Sequence, residues 1–359
     1  LCRLVDSFSW HPRGDRFVVT CEYTDIVSVV SITGEVLSTR NTNPTGTGRE
    51  ENARGVHAAD WSPDGSRFAT VDHAGSLGVW TTTDAAPPFS VDEPGGCWFS
   101  PDGAWVASRG RDGTANIFTR AGVLEHRLED TSASDWDPTG RRFAQVGASA
   151  LRLVELDSGD RVEIPMEVGI RSNVAWNPSA TRLAVVGGSA ALLVDTTKRE
   201  ARPLEAIAAG VGSRGPPLVV WSPDGERLLV ARDEGSAWLF SGDGELLKEF
   251  ERGRNVAAYW HPSNDRFQVS ASPWESFGTV YDRDGNELRT TDGVVLSAWS
   301  PEGHWLVSRK KEAFLVDAAT EAVIRPIPTP HWAWEGSWTD DGAWMVVRSA
   351  GPRWSLWSG

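Results

Sequence analysis

This chain of 359 residues is poor in cysteine, in basic charge and in long apolar runs, and each shortage removes a class of protein. The three cysteines, Cys2, Cys21 and Cys97, form no Cys-x-x-Cys pair and cannot all cross-link. Neither a disulfide framework nor a thiolate zinc site is expected, and a reducing, cytoplasmic setting fits best. Lys and Arg number 35 against 49 Asp and Glu, a net charge of -14. Nucleic acid and anionic membranes are therefore excluded as partners, because both need a surface that neutralises phosphates. Only four of the basic residues are lysine (Lys198, Lys248, Lys310, Lys311), a bias of GC-rich bacterial genomes. No apolar stretch approaches the roughly 20 residues of a membrane span. The chain opens at Leu1 with no Met, no basic n-region and no apolar h-region, which points to a domain within a longer bacterial polypeptide.

What is abundant is tryptophan: Trp 19 against Phe 12 and Tyr 3, with Gly 36 and Pro 21. The surplus is periodic. Trp61 opens the string WSPDG, and variants recur as WHPRG at Trp10, FSPDG at Phe99, WDPTG at Trp136, WNPSA at Trp176, WSPDG at Trp221, WHPSN at Trp260, WSPEG at Trp299 and WTDDG at Trp338. Neighbouring anchors lie 51, 38, 37, 40, 45, 39, 39 and 39 residues apart, the period of one supersecondary unit and not of a domain. Within each unit an apolar stretch ends at the anchor, a tight turn follows, and two more short strands lead through a Gly-containing hairpin to a polar fourth strand. Pro presets φ and Gly supplies the positive φ such reversals need. The hairpin signals are Gly34, Gly122, Gly159, Gly244 and Gly285. No amphipathic stretch of three helical turns interrupts the pattern.

Six residues past each anchor stands an Arg or Trp: Arg16, Arg67, Trp105, Arg142, Arg182, Arg227, Arg266, Trp305 and Trp344. One residue later the side chain is always large and apolar, from Phe17 and Phe68 to Leu306 and Met345. Alternation of this kind describes a strand with one packed face. The Arg then lies over the neighbouring unit or the turn carboxylate, its stem buried and its head wet.

Anchor turn, strand and Asp-x-x-Gly gap together resemble the WD40-like β-propeller families in their bacterial form, over essentially all of residues 1–359. The resemblance departs in the third strands, which end at Trp80-Thr, Phe118-Thr, Phe240-Ser, Tyr281-Asp and Trp357-Ser in place of Trp-Asp. It implies an all-β fold, a single β-propeller of four-stranded blades. Nine anchors predict nine blades, with eight as the alternative. The last blade lacks an outer strand within the sequence.

Function in such a fold is expected on the loop face opposite the anchor turns. Ten residues past the anchor most units carry something small or apolar, whereas units three, eight and nine carry Arg109, Arg309 and Arg348, a candidate anion-binding arc. Aromatic residues gather late in the chain at Trp274, Phe277, His331, Trp332 and Trp334, as loop anchors for a partner or, for Trp332 and Trp334, as packing within the ninth blade. Two long loops, Asn41 to Gly55 and Arg202 to Pro217, are rich in Gly and Pro, the second with room for one helical turn near Leu204. No P-loop, dinucleotide fingerprint or Gly-x-Ser-x-Gly occurs, the seven His show no ligand spacing, and Asp282 to Asn286 is a hairpin turn and not a calcium loop. The reading is a non-catalytic, monomeric scaffold or sensor module, without cofactor or metal, binding a protein partner or an adjoining domain of its own polypeptide. The alternative is a glycoside hydrolase of sialidase type, using the three arginines with Tyr23 as nucleophile and Glu22 as acidic partner.

Overall fold

The structure is a computed structural model that describes residues 5–21, 24–42, 55–72, 76–82, 89–90, 94–110, 112–169, 172–207, 216–232, 235–251, 257–270, 277–292, 294–295, 299–309, 312–317, 320, 322–328, 333–349 and 353–358. Every regular element among them is a β-strand. Within each sheet every strand pairs with its successor, so each repeat is an antiparallel meander in chain order. Blade 1, for example, runs Val5–Trp10, Arg16–Cys21, Ile26–Ser31 and Val36–Asn41. Blades 2 to 9 follow over residues 56–90, 94–128, 133–165, 173–203, 218–251, 257–292, 294–327 and 333–358. The fold is all-β, a propeller of four-stranded blades.

The expected count of nine blades needs correction, and the alternative of eight four-stranded blades fits. Among the described residues eight sheets have four strands, and the ninth anchor, Trp338, heads a sheet of three. An anchor turn specifies only the first two strands of a meander, so an anchor can head a sheet of fewer than four. The blades fall into two compact units, Leu1–Asp130 with Trp338–Gly359, and Thr131–Ser337.

Registers explain why the anchor motif could vary. Trp61 faces Phe68 across the first hairpin and Trp136 faces Phe143, so anchor and seventh-position residue meet on the packed face. Phe68, Val106, Phe143, Leu183, Leu228, Phe267 and Met345 are all fully buried, as the alternation requires. The residue after the anchor then satisfies the turn. Ser62 donates its hydroxyl to Asp64 at 2.7 Å and accepts the Arg67 N–H at 3.0 Å. Asp137 accepts the amides of Arg141 and Arg142, Asn177 those of Thr181 and Arg182, and the His261 ring that of Ser263. Ser, Asp, Asn, His and Thr are interchangeable here because each offers an acceptor one or two bonds beyond Cβ.

Successive turns also stack. A Cβ on Gly65 would run into the His11 ring, one on Gly303 into His261, and one on Gly103 would lie 3.3 Å from Pro63. The same relation links the last blade to the first, since a Cβ on Gly14 would lie 3.2 Å from Thr339. The fourth position after the anchor adopts positive φ throughout, including at Ala180 (φ 59) and Asn264 (φ 65) where glycine is absent.

Two expectations fare differently. Cys21 is disulfide-bonded while Cys97 is a free, buried thiol, so one bridge forms where no disulfide framework was expected. An odd count leaves one thiol over but does not forbid one bridge. The long loops lie outside the described residues except at their ends. In the second, Leu204–Ile207 forms a turn and not a helix, with the Ile207 N–H donated to Leu204 O at 3.0 Å and both side chains buried.

Left-handed alanine costs about 1–2 kcal/mol that glycine does not. Ala180→Gly is therefore expected to raise stability by roughly 0.5–1 kcal/mol after the added freedom of the unfolded chain is subtracted. Urea unfolding followed by tryptophan fluorescence checks it, and an unchanged or lower midpoint would contradict the strain argument.

Candidate functional site

The residues singled out in the sequence are dispersed over the strand ends. Arg109 is the penultimate residue of the second strand of blade 3, Trp105–Gly110, where it is half-buried and desolvation pulls its pKa below the usual arginine value. Arg309 and Arg348 hold the same register in His304–Arg309 and Trp344–Ser349, paired along the backbone with Glu312 and Trp354. Phe277, expected in a loop, is instead the first residue of the strand Phe277–Asp282 and lies opposite Asp292. Trp334 belongs to the first strand of blade 9, Ala333–Trp338. Trp274, His331 and Trp332 lie outside the described residues, as do Glu22 and Tyr23 of the sialidase alternative. Of the expected arc, Arg109 alone has a described side chain.

The arginines six residues past the anchors are cross-blade ties. Arg67 donates to the Arg120 carbonyl at 3.1 Å, and Arg227 reaches Asp284 at 3.1 Å. Arg182 bonds the Gly242 carbonyl at 2.9 Å and pairs with Asp243 in the next hairpin. Arg142 lies 4.6 Å over the Trp176 ring and bonds Asp137 at 3.1 Å. Arg16 and Arg266 instead clamp the carboxylates of Asp15 and Asp265 in their own turns. The Arg266 hydrogen bond holds the Asp265 carboxyl down at about 2.

A second set of ties was not foreseen. The residue just before the anchor accepts the main-chain N–H of the next blade's anchor: Ser9 from Trp61 at 3.3 Å, Asp60 from Phe99 at 3.0 Å, and Asp135 from Trp176. Ser9 also donates to Asp60 at 3.2 Å, linking three blades in one chain of bonds. Where this position is Ala175 or Tyr259, the next anchor's indole donates to its carbonyl instead, Trp221 at 3.0 Å and Trp299 at 3.2 Å. Desolvation raises both part-buried carboxyls, Asp60 above its ordinary value and Asp135 up to about 7, against the opposing hydrogen bonds. The nearby Asp137 charge adds to the rise at Asp135. Perturbed carboxyls often mark catalysis. Both are engaged in the joints between blades.

The open features are on the outer side. A groove of about 440 Å³ separates the last strand of blade 5 from the hairpin of blade 6, with Arg182, Lys198 and Arg202 facing Asp195, Asp243 and Glu245. Beside the hairpins, the outer strands expose aliphatic side chains at Val36 and Leu37, Val123 and Leu124, Leu246 and Leu247, Leu288, and Val323 and Ile324. Among the described residues no group of three His, Cys, Asp or Glu side chains converges to hold a metal ion.

Residues 90–119 match the family model described as WD domain, G-beta repeat, covering most of blade 3 through its third strand. The fold is similar to the crystal structure of the eukaryotic initiation factor, at 14% identity over 92% of this chain and 90% of that one, with a TM-score of 0.67. It is also similar to the C-terminal WD40 domain of Sif2, at 14% identity over 99% of this chain and 96% of that one, with a TM-score of 0.60. No curated protein matches the sequence. The chain thus carries a WD40 repeat and shares the WD40 β-propeller fold.

The Asp135 joint sets a pH dependence. Between the ordinary carboxyl value of 3.8 and about 7 the native state holds a proton that the unfolded chain releases, so this residue's contribution to stability falls as pH rises. Asn at 135 keeps the acceptor without the charge. Asp135→Asn is therefore expected to gain on the wild type progressively from pH 4 to pH 7, at up to about 1.4 kcal/mol per pH unit. Parallel denaturant curves across that range measure the difference, and one that stays flat would refute the assignment.

Proposed function

We propose that the protein is a non-catalytic binding scaffold that recruits a protein partner, either a separate chain or an adjoining domain of a longer polypeptide. The observation that carries this reading is the distribution of its polar and apolar groups. The part-buried carboxyls Asp60 and Asp135 serve the blade joints, while five blades leave aliphatic side chains on the outer surface. Chemistry needs perturbed groups gathered where a substrate can reach them, whereas recruitment needs contact surface on a rigid frame. The likeness to WD40 propellers is in keeping with this but is a likeness of fold, and folds host many functions.

The loop-face residues inferred from sequence, Trp274, Phe277, His331, Trp332 and Trp334 with Arg109, Arg309 and Arg348, remain candidates for the contact. Affinity capture with the wild-type chain, repeated with Trp274→Ala, Trp332→Ala and the three Arg→Ala changes, is expected to lose a defined partner in at least one variant. Retention by all of them would exclude the loop face as the contact.

Nothing described favours glycoside hydrolysis. A fluorogenic sialoside is expected to remain uncleaved, and turnover abolished by Tyr23→Phe would overturn the non-catalytic reading.

A further inference from the structure

In blade 3 two fully buried polar side chains go unsatisfied by the protein. Ser108, on the second strand, and Asn116, directly opposite it on the third, are 0% and 1% exposed. Neither the Ser108 hydroxyl nor either end of the Asn116 amide has a hydrogen-bond partner. Strand alternation places Ser108 on the side of Val106 and Asn116 on the side of Phe118, which is the side that packs on Ala69, Val71, Leu77 and Val79 of blade 2. None of those four has a polar side-chain atom.

The corresponding positions in neighbouring blades are either satisfied or apolar. In blade 2 they are Thr70 and Gly78, and the Trp80 indole N–H donates to the Thr70 hydroxyl at 2.8 Å. A Cβ on Gly78 would lie 2.7 Å from that indole nitrogen, so the ring fills the space where blade 3 has its amide. In blade 4 they are Gln145 and Arg152. There the guanidinium donates to Gln145 Oε1 at 3.1 Å, and the Gln145 amide donates to Thr131 at 3.1 Å. Blade 5 carries Val185 and Leu192. Blade 3 keeps the hydroxyl but has Phe118 where blade 2 has Trp80, and so lacks the indole donor. Orphaned groups of this kind are rare because each gives up its hydration on burial.

We propose that Ser108 and Asn116 bind an ordered water in the joint between blades 2 and 3. Cβ atoms of directly opposed residues stand about 4.5–5.5 Å apart, close enough for one molecule to reach both side chains. Water also fits the chemistry, since the amide needs both a donor and an acceptor and the hydroxyl accepts either. Full burial leaves no route for a larger ligand. Arg127, next in the same row, is met by Asp112 at 3.9 Å and draws no anion into the joint. The inference concerns the frame and stands apart from the scaffold reading.

A high-resolution crystal structure of the full chain tests it. An isolated density peak within hydrogen-bond distance of both Ser108 Oγ and the Asn116 amide is expected. A direct Ser108–Asn116 hydrogen bond with no peak beside it overturns the proposal, as does a peak with the shorter distances of a metal ion. Oxygen-17 relaxation dispersion, which counts long-lived internal waters, gives a second reading. Ser108→Val/Asn116→Leu copies the pair in blade 5 and is expected to hold one such water fewer than the wild type. Its melting midpoint should be no lower, because both polar groups leave together. An unchanged water count in the folded double variant overturns the proposal, and if that variant fails to fold the wild-type density decides alone.

Discussion

The innermost strand of every blade has one edge with no ladder partner, and the amides on that edge are the constraint around which the joints are built. A buried N–H without an acceptor costs about as much as a lost hydrogen bond, and each blade repeats the problem. The answer lies in the residue before the anchor of the preceding blade. Ser9, Asp60 and Asp135 supply a side-chain oxygen, so the blades are bonded to one another as well as packed. Where that position is Ala175 or Tyr259, the indole of the following anchor takes up the main-chain carbonyl. At Trp221 and Trp299 tryptophan thus does two things: its ring fills the space between sheets and its N–H spans the joint.

Much of this frame was legible in one sequence because its determinants are local. Anchor turn, buried seventh residue and hairpin glycine lie within a few positions of each other, and all three stand where their spacing put them. The arginine ties were legible for the same reason, since a long cationic side chain at one register has few places to go. Asp60 and Asp135 were not. In the alternating pattern of a first strand each occupies a position that reads as solvent-facing, and only a blade nearly 40 residues further on buries it.

The outer strands obey a different logic. Blade 5 has a polar outer strand with an unshifted ladder, whereas Leu37, Leu247, Leu288 and Ile324 are exposed aliphatic bulges on theirs. An interrupted edge resists indiscriminate strand addition while still presenting apolar contact area. The two properties together separate selective docking from aggregation, a distinction that a flat hydrophobic edge could not make.

The contact of Thr339 with Gly14 has a consequence in time. It joins residues at opposite ends of the sequence in the same geometry that elsewhere joins neighbours. As the polypeptide emerges during synthesis, each new blade can settle on the one made just before it, but blade 1 must wait for the last to cover its other side. The flank of blade 1 is covered only once the turn at Thr339 has been made.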